Sequence, residues 1–126
     1  MVHERITERI LAAAFKVANA LGCGFLEKVY ENALIHELGK AEFSIEQQKA
    51  IPVFYDGVLV GDYVADLIVE GCVIIELKAI ANFDHIHTAQ CINYLKATGL
   101  KVCMLMNFGK TRLEFKRIVN EQSATI

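Results

Sequence analysis

Residues 64–80 read Val64-Ala65-Asp66-Leu67-Ile68-Val69-Glu70-Gly71-Cys72-Val73-Ile74-Ile75-Glu76-Leu77-Lys78-Ala79-Ile80. Two apolar runs flank the turn dipeptide Glu70-Gly71, which predicts two buried strands joined by a short turn. Charged residues interrupt these runs at Asp66, Glu76 and Lys78. Because strand side chains alternate between faces, Glu76 and Lys78 project from the same face. Charges in an apolar sheet are unfavourable unless they pair or bind a metal, so the stretch predicts a site as well as a sheet.

Apolar periodicity outside this stretch predicts three helices and three more strands. Spacings of three and four between apolar residues predict the helices, and the Asp56-Gly57 dipeptide predicts a hairpin turn. The predicted helices are 3–20, Leu26–Leu38 and Asp84–Ala97, and the predicted strands are Ile45–Tyr55, Val58–Val69, Cys72–Ile80, Leu100–Asn107 and Arg112–Val119.

The resulting order, ααβββαββ, is typical of an α/β (α+β) fold. The first three strands follow one another through short turns, which predicts an antiparallel meander. A helix between two apolar strands predicts a crossover and a parallel pair. We therefore predict a single domain over residues 1–126, with a mixed β-sheet core flanked by helices.

The composition is apolar for a small domain, because 54% of the 126 residues are hydrophobic. Such a chain could cover part of its surface by self-association, so the composition leaves a homo-oligomer open without predicting it. No apolar run approaches the roughly 18 residues of a membrane helix. The start, Met1-Val2-His3-Glu4-Arg5, lacks the basic-then-apolar layout of a signal peptide. We predict a cytoplasmic protein with no membrane association.

The net charge of −2 argues mildly against general nucleic-acid binding, but the charges are unevenly distributed. Residues 96–117 hold one acid, Glu114, against a basic set that comprises Lys96, Lys101, Lys110, Arg112, Lys116 and Arg117. A basic segment of this kind could follow the phosphate backbone of a nucleic acid. The alternative is that these are solvated side chains on exposed faces.

Asp66, Glu76 and Lys78 together predict a hydrolytic centre. Two carboxylates on one face provide the hard oxygen ligands that Mg²⁺ prefers, and a lysine beside them can orient a water or stabilise phosphoryl charge. The alternative is a buried ion network with a structural role alone. The sequence contains no glycine-rich phosphate loop and no Gly-x-Ser-x-Gly, which argues against nucleotide-triphosphate chemistry and acyl transfer.

Two helices carry further candidate residues. Glu27 opens the second helix beside its apolar face and could add a third carboxylate, although an acid at a helix N-terminus is also favoured by the helix dipole. On the third helix His87, Gln90 and Tyr94 share one face at spacings of three and four. Gln90 could hold substrate or a metal-bound water, and Tyr94 a phosphate. The alternative is an ordinary polar edge of an amphipathic helix.

These motifs, in this order, resemble the GxxExxY family of the PD-(D/E)-x-K nuclease superfamily. The resemblance covers nearly the whole chain and is carried by several short motifs. They are Gly24-Phe25-Leu26-Glu27-Lys28-Val29-Tyr30, Gly61-Asp62-Tyr63-Val64-Ala65-Asp66, Glu76-Leu77-Lys78-Ala79, His87-Thr88-Ala89-Gln90-Cys91-Ile92-Asn93-Tyr94-Leu95 and Asn107-Phe108-Gly109.

The resemblance implies a restriction-endonuclease-like fold and assigns roles to the candidate residues. Asp66 matches the motif aspartate, and Glu76 and Lys78 match the acid-x-lysine element. Glu27 matches the first-helix glutamate. Gln90 and Tyr94, which make up the remaining assignments, match the Gln-x-x-x-Tyr motif of a branch that includes recombination-associated exonucleases.

The sequence therefore predicts a Mg²⁺-dependent nuclease, with Mn²⁺ as the substitute ion, that hydrolyses phosphodiester bonds in nucleic acid, here DNA. Asp66 and Glu76 would bind the metal with the backbone carbonyl of Leu77, and Glu27 would complete the shell through water. Lys78 would position or activate the attacking water. The alternative function is a catalytically inactive nuclease-fold module that binds nucleic acid or a protein partner.

Overall fold

The computed structural model describes residues 1–120, and its elements follow the predicted order ααβββαββ. Element bounds differ from the predicted ones by at most two residues. The helices are α1 (Glu4–Leu21), α2 (Glu27–Lys40) and α3 (His85–Thr98), and the strands are β1 (Ile45–Tyr55), β2 (Val58–Val69), β3 (Val73–Lys78), β4 (Val102–Asn107) and β5 (Glu114–Val119). None of the helices within residues 1–120 is both long and apolar enough to cross a membrane.

The five strands form one mixed sheet in the order β1-β2-β3-β4-β5. Strands β1, β2 and β3 pair antiparallel, β3 and β4 pair parallel, and β5 returns antiparallel to β4. Helix α3 supplies the crossover that a parallel pair requires. The predicted mixed sheet with a meander and one parallel pair is confirmed.

The helices cover the sheet on both faces. Helices α1 and α2 pack over an apolar layer that includes Leu67, Ile75 and Met104, and α3 packs over the opposite layer, which includes Ile74 and Leu105. Both layers are needed because β3 and β4 are buried along nearly their whole length. Ile75 and Leu77 lie in the α1–α2 layer, so the predicted separation of these residues from Glu76 is correct.

The regular alternation of side chains breaks at Asp66. Leu67 lies in the layer under α1 and α2, yet both Ala65 and Ile68 belong to the layer under α3. The β2–β3 ladder ends at the Leu67–Ile75 pair, and on the other side of Asp66 the β1 residue Gln48 has a left-handed φ of 51°. Strands β2 and β3 therefore part beside Asp66, and the gap admits side chains.

The segment after β3 is held to β4 by Asn107, which is fully buried. Its side-chain amide donates to the carbonyl of Ile80 at 2.9 Å, and its side-chain oxygen accepts from the backbone amides of Ile80 at 3.0 Å and Gly109 at 2.9 Å. A Cβ at Gly109 would lie 2.4 Å from the Ile80 nitrogen, so only glycine permits this approach. The contacts fix the backbone that leaves Lys78.

We expect Asn107→Ala to lower the free energy of unfolding by about 2–4 kcal/mol, because it leaves buried backbone groups at Ile80 and Gly109 unpaired. Urea denaturation followed by circular dichroism measures this. Asn19→Ala, at an exposed position of α1, is the matched control and should change stability by less than about 0.5 kcal/mol. Equal stability of the two variants would contradict the proposed role of Asn107 in holding Ile80 and Gly109.

Candidate active site

Beyond the last β2–β3 backbone pair, the carboxylates of Asp66 and Glu76 form the hydrogen bonds that connect the two strands. Glu76 Oε1 accepts from the backbone amide of Asp66 at 3.0 Å, and Asp66 Oδ2 accepts from the backbone amide of Leu77 at 2.8 Å. Each acid thus bonds the backbone of the strand that carries the other. The two carboxylates lie in the gap between β2 and β3.

The two acids are electrostatically unfavourable neighbours. The side chain of Glu76 is almost fully buried, and burial, followed by the negative charge of Asp66, raises its pKa to about 8. Burial also raises the pKa of Asp66, and the charge of Glu31 adds to this against the stabilising amide of Leu77. A pair of carboxylates with raised pKa values is a site where a cation is favoured.

Lys78 does not neutralise this pair by direct contact. It is half-buried, and within residues 1–120 it forms no hydrogen bond or ion pair with either acid. Its positive charge nevertheless lowers the pKa of both Asp66 and Glu76. The alternative interpretation as a closed structural ion network requires a direct pair, which this arrangement lacks.

The Leu77 carbonyl is directed toward the same gap. The amide and carbonyl of one strand residue point to the same neighbouring strand, and the Leu77 amide points to Asp66. In agreement, the next carbonyl, that of Lys78, points the other way and accepts from the Phe108 amide at 2.8 Å. Leu77 therefore presents a backbone oxygen beside the two carboxylates.

Helix α2 is anchored next to the site by Tyr30. Its hydroxyl donates to the Gly22 carbonyl at 2.7 Å and accepts from the Phe25 amide at 3.2 Å, and its ring stacks on Phe108 at 4.8 Å between centroids. Gly24 lies between these bonds with a φ of 114°, which glycine adopts readily. The Gly-x-x-Glu-x-x-Tyr pattern thus has a structural role, because it fixes the start of α2.

Glu27, the first residue of α2, stays outside the carboxylate pair. It is exposed and forms no hydrogen bond or ion pair within residues 1–120. Its charge is the weakest of the effects that raise the pKa of Glu76, so it lies within electrostatic range without contact. The position of Glu27 is compatible with a role through water, whereas direct contact between Glu27 and the carboxylate pair is not observed.

Glu31, one turn further along α2, is a site residue that the sequence did not predict. It is 3% exposed and accepts from Gln47 at 2.6 Å, Gln48 at 3.0 Å and Lys28 at 2.8 Å. Burial disfavours its charged form, but these hydrogen bonds prevail and lower its pKa. Glu31 could have been predicted from its position, because it lies four residues after Glu27 on the helix face that buries Leu34.

Gln48 links Glu31 to the carboxylate pair. Its side-chain amide donates to Glu31 Oε1 at 3.0 Å and reaches Asp66 Oδ1 at 3.4 Å. The left-handed backbone of Gln48 makes this double contact attainable. No sequence pattern marks Gln48, since its position depends on an irregularity in β1.

Helix α3 brings Gln90 and Tyr94 to the other side of the gap. Gln90 Nε2 donates to the Tyr94 hydroxyl at 2.9 Å, and that hydroxyl donates to the carbonyl of Val64, two residues before Asp66, at 3.3 Å. Burial, followed by the charge of Glu76, raises the pKa of Tyr94 to about 12, so this phenol stays protonated. His87 instead serves the helix start, where its Nδ1 accepts from the Asp84 amide.

The donor set fits a hard, partly hydrated cation. Within residues 1–120 no three His, Cys, Asp or Glu side chains form a metal-binding group, so a site built wholly from such side chains is not present there. Asp66 and Glu76 do offer two carboxylates with the Leu77 carbonyl beside them. Mg²⁺ binds through one or two carboxylates and keeps several waters, which matches this limited set.

The basic residues of 96–117 do not form one continuous surface. Lys116 and Arg117 are neighbours in β5 and so project from opposite faces of the sheet. Arg117 donates to the Val2 carbonyl at the start of the chain, whereas Lys96 lines a cleft beside α3. The predicted single phosphate-binding segment is therefore divided between the faces of the sheet.

Comparison with known proteins identifies the family of this chain. Residues 4–118 match the family description of the PD-(D/E)XK nuclease superfamily. No curated protein matches the sequence. Among solved structures, an alkaline exonuclease from Laribacter hongkongensis is similar at 14% sequence identity and a TM-score of 0.47, over 94% of this chain and 84% of that chain. Because the family match spans nearly the whole chain, this chain belongs to the PD-(D/E)XK nuclease superfamily. Nucleases of this superfamily generally use divalent metal ions.

Proposed function

We propose that this protein is a metal-dependent hydrolase of phosphodiester bonds in DNA, with Mg²⁺ as its ion and Mn²⁺ as a substitute. The observation that carries the proposal is the pairing of the buried Glu76 with the half-buried Asp66, together with a Lys78 that has no side-chain partner within residues 1–120. Raised pKa values in the metal-free protein are what two adjacent acids without a cation produce. Superfamily membership supports the same chemistry.

In the proposed mechanism Asp66, Glu76 and the Leu77 carbonyl would hold the ion, which would supply Lewis-acid activation. No side chain of residues 1–120 pairs with Lys78, so its ammonium can orient the attacking water and stabilise charge on the phosphoryl oxygens. Glu31 positions the Gln48 amide, which in turn contacts Asp66. Glu27 would act through water.

Gln90 and Tyr94 would orient the substrate from α3. Their hydrogen bond to each other leaves the Gln90 carbonyl oxygen available to a ligand, and the protonated phenol could turn from the Val64 carbonyl to donate to a phosphate oxygen. Tyr94 contacts the carbonyl of Val64 and Gln90 contacts Tyr94, so both side chains lie next to the gap at Asp66. A phosphate in the gap would therefore lie between these two side chains and the carboxylates.

Within the superfamily we propose membership of the GxxExxY family. The supporting observation is that Gly24 and Tyr30 have the structural roles that such a pattern requires, a positive φ and an anchor for the helix start. A cytoplasmic location and self-association of the chain, which the sequence raised as expectations, are likewise proposals.

The proposal is tested with the purified chain and end-labelled DNA, as duplex and as single strand, beside RNA of the same sequence. We expect DNA cleavage with Mg²⁺ or Mn²⁺ and none with EDTA. Cleavage of RNA alone would contradict the DNA assignment. Absence of Mn²⁺ binding in calorimetry, together with absence of cleavage of any substrate, would identify the inactive nuclease-fold module instead, and cleavage that persists in EDTA would contradict metal dependence.

A further inference from the structure

A cleft lies between the β1–β2 hairpin and α3, next to the candidate active site. Its volume is about 730 Å³, within the roughly 300–1,000 Å³ of clefts that bind small organic ligands. The residues on its walls that matter for recognition are Phe54, Tyr63, Gln90, Asn93, Tyr94 and Lys96. Gln90 and Tyr94 are shared with the candidate active site, so the cleft and the carboxylate gap have a common wall.

The hairpin wall presents aromatic rings that the fold leaves uncovered. Phe54 is 62% exposed and Tyr63 is 51% exposed. Tyr63 meets Tyr94 edge to face, with ring centroids 6.0 Å apart, which holds the Tyr63 ring at the mouth of the cleft. Open aromatic faces held in this way are the surfaces on which unpaired nucleobases stack.

The helical wall presents groups that suit the rest of a nucleotide. Asn93 is exposed and carries an amide that can pair with the polar edge of a base, as can the free carbonyl oxygen of Gln90. Lys96 places a positive charge at the cleft, where it complements a phosphate. An aromatic face, amides and a cation on one cleft match a base and its backbone better than a purely apolar ligand.

We propose that this cleft binds an unpaired nucleobase next to the scissile phosphate, so that the preferred substrate has a single-stranded or frayed nucleotide at the point of cleavage. The inference rests on the proposed hydrolase function and deepens it. The common wall sets the geometry, because the Tyr94 hydroxyl contacts the carbonyl of Val64 two residues before Asp66. A base in the cleft therefore places its own phosphate toward the carboxylate pair.

The test is equilibrium binding in EDTA, where cleavage does not interfere. The probes are a blunt DNA duplex, the same duplex with a single-stranded tail that carries 2-aminopurine, and the RNA version of the tail. We expect the tailed DNA to bind about 10-fold more tightly than the blunt duplex, with quenched 2-aminopurine fluorescence. Equal binding of the blunt and tailed duplexes would overturn the proposal. Preference for the RNA tail would retain the cleft as a base-binding site and assign it to RNA.

Variants separate the cleft from the hairpin as a whole. Tyr63→Ala and Phe54→Ala should each weaken binding of the tail by about 10-fold, whereas Tyr63→Phe keeps the ring and should bind like the wild type. Tyr55→Ala is the matched control, since Tyr55 is a 75% exposed aromatic on the same hairpin outside the cleft. Equal losses in all these variants, or none, would overturn the assignment.

The outcomes distinguish this proposal from the hydrolase proposal. Metal-dependent cleavage with no effect of Tyr63→Ala on tail binding would reject the cleft and leave the hydrolase intact. Tail binding that depends on Tyr63, without cleavage in Mg²⁺ or Mn²⁺, would reject the hydrolase and leave the cleft. Self-association in sedimentation that Tyr63→Ala and Phe54→Ala abolish, together with unchanged tail binding, would assign the cleft to a second copy of the chain and overturn the proposal.

Discussion

Lys78→Ala and Asp66→Ala are each expected to lower the rate of metal-dependent DNA cleavage by about 1,000-fold or more, because Lys78 stabilises charge that develops at the phosphate and Asp66 is a ligand of the proposed metal ion. For Lys78 the loss should fall on kcat while Mn²⁺ binding persists, since the ammonium contacts neither carboxylate. For Asp66 the loss should include Mn²⁺ affinity. Single-turnover cleavage and calorimetry measure the two effects separately.

The matched control is Lys49→Ala. Lys49 lies on β1, one residue from Gln48, and its exposed ammonium pairs with Glu46 at 2.9 Å. Loss of this surface pair should leave cleavage and stability nearly unchanged. Circular dichroism of all three variants checks that they fold. Undiminished cleavage by folded Lys78→Ala or Asp66→Ala would reject the proposed site.

The metal-free protein should lose stability as the pH rises from 5 to 8, because the pKa of Glu76 is about 8 in the folded chain and near its ordinary 4.5 in the unfolded chain. Between these values the folded state holds the extra proton, so stability is full below the unfolded pKa and falls until the folded pKa is passed. The expected loss is about 3 kcal/mol. Urea denaturation in EDTA across this range measures it.

Glu76→Gln should remove most of this pH dependence and make the metal-free protein more stable than the wild type at pH 8. Glu8→Gln, at an exposed position of α1, is the matched control and should keep the wild-type dependence. Added Mn²⁺ should stabilise the wild type more at pH 8 than at pH 6, because the ion binds the deprotonated acids. A flat pH profile for the wild type would contradict the burial of Glu76 beside a second acid.

Most of the fold could be read from the chain because its periodicities are strong. The turns at Asp56-Gly57 and Glu70-Gly71 separate the strands β1, β2 and β3 that the structure contains, and the helix before β4 correctly predicts the parallel pair. Local signals of this kind depend on neighbours in the sequence, so they survive without tertiary information.

The candidate site was predictable only where its residues follow regular spacing. Asp66, Glu76 and Lys78 stand out because charges are rare in apolar strands, and Tyr94 because it shares a helix face with Gln90. Glu31 and Gln48 were not predicted. Glu31 resembles any acidic residue of an exposed helix in the sequence, and the position of Gln48 depends on an irregularity in β1. The division of the basic segment between two faces likewise follows from β5 pairing with β4, which no local pattern states.

The amino-acid sequence by itself determined the elements, their order, the mixed sheet and the three charged residues that mark the site, because hydrophobic period and charge placement act over a few residues. Only the tertiary structure decided that β2 and β3 part at Asp66, that Lys78 makes no direct pair with Asp66 or Glu76, and that α3 and the hairpin enclose a cleft. These features depend on contacts between residues far apart in the chain, where burial and repulsion between acids set the energy.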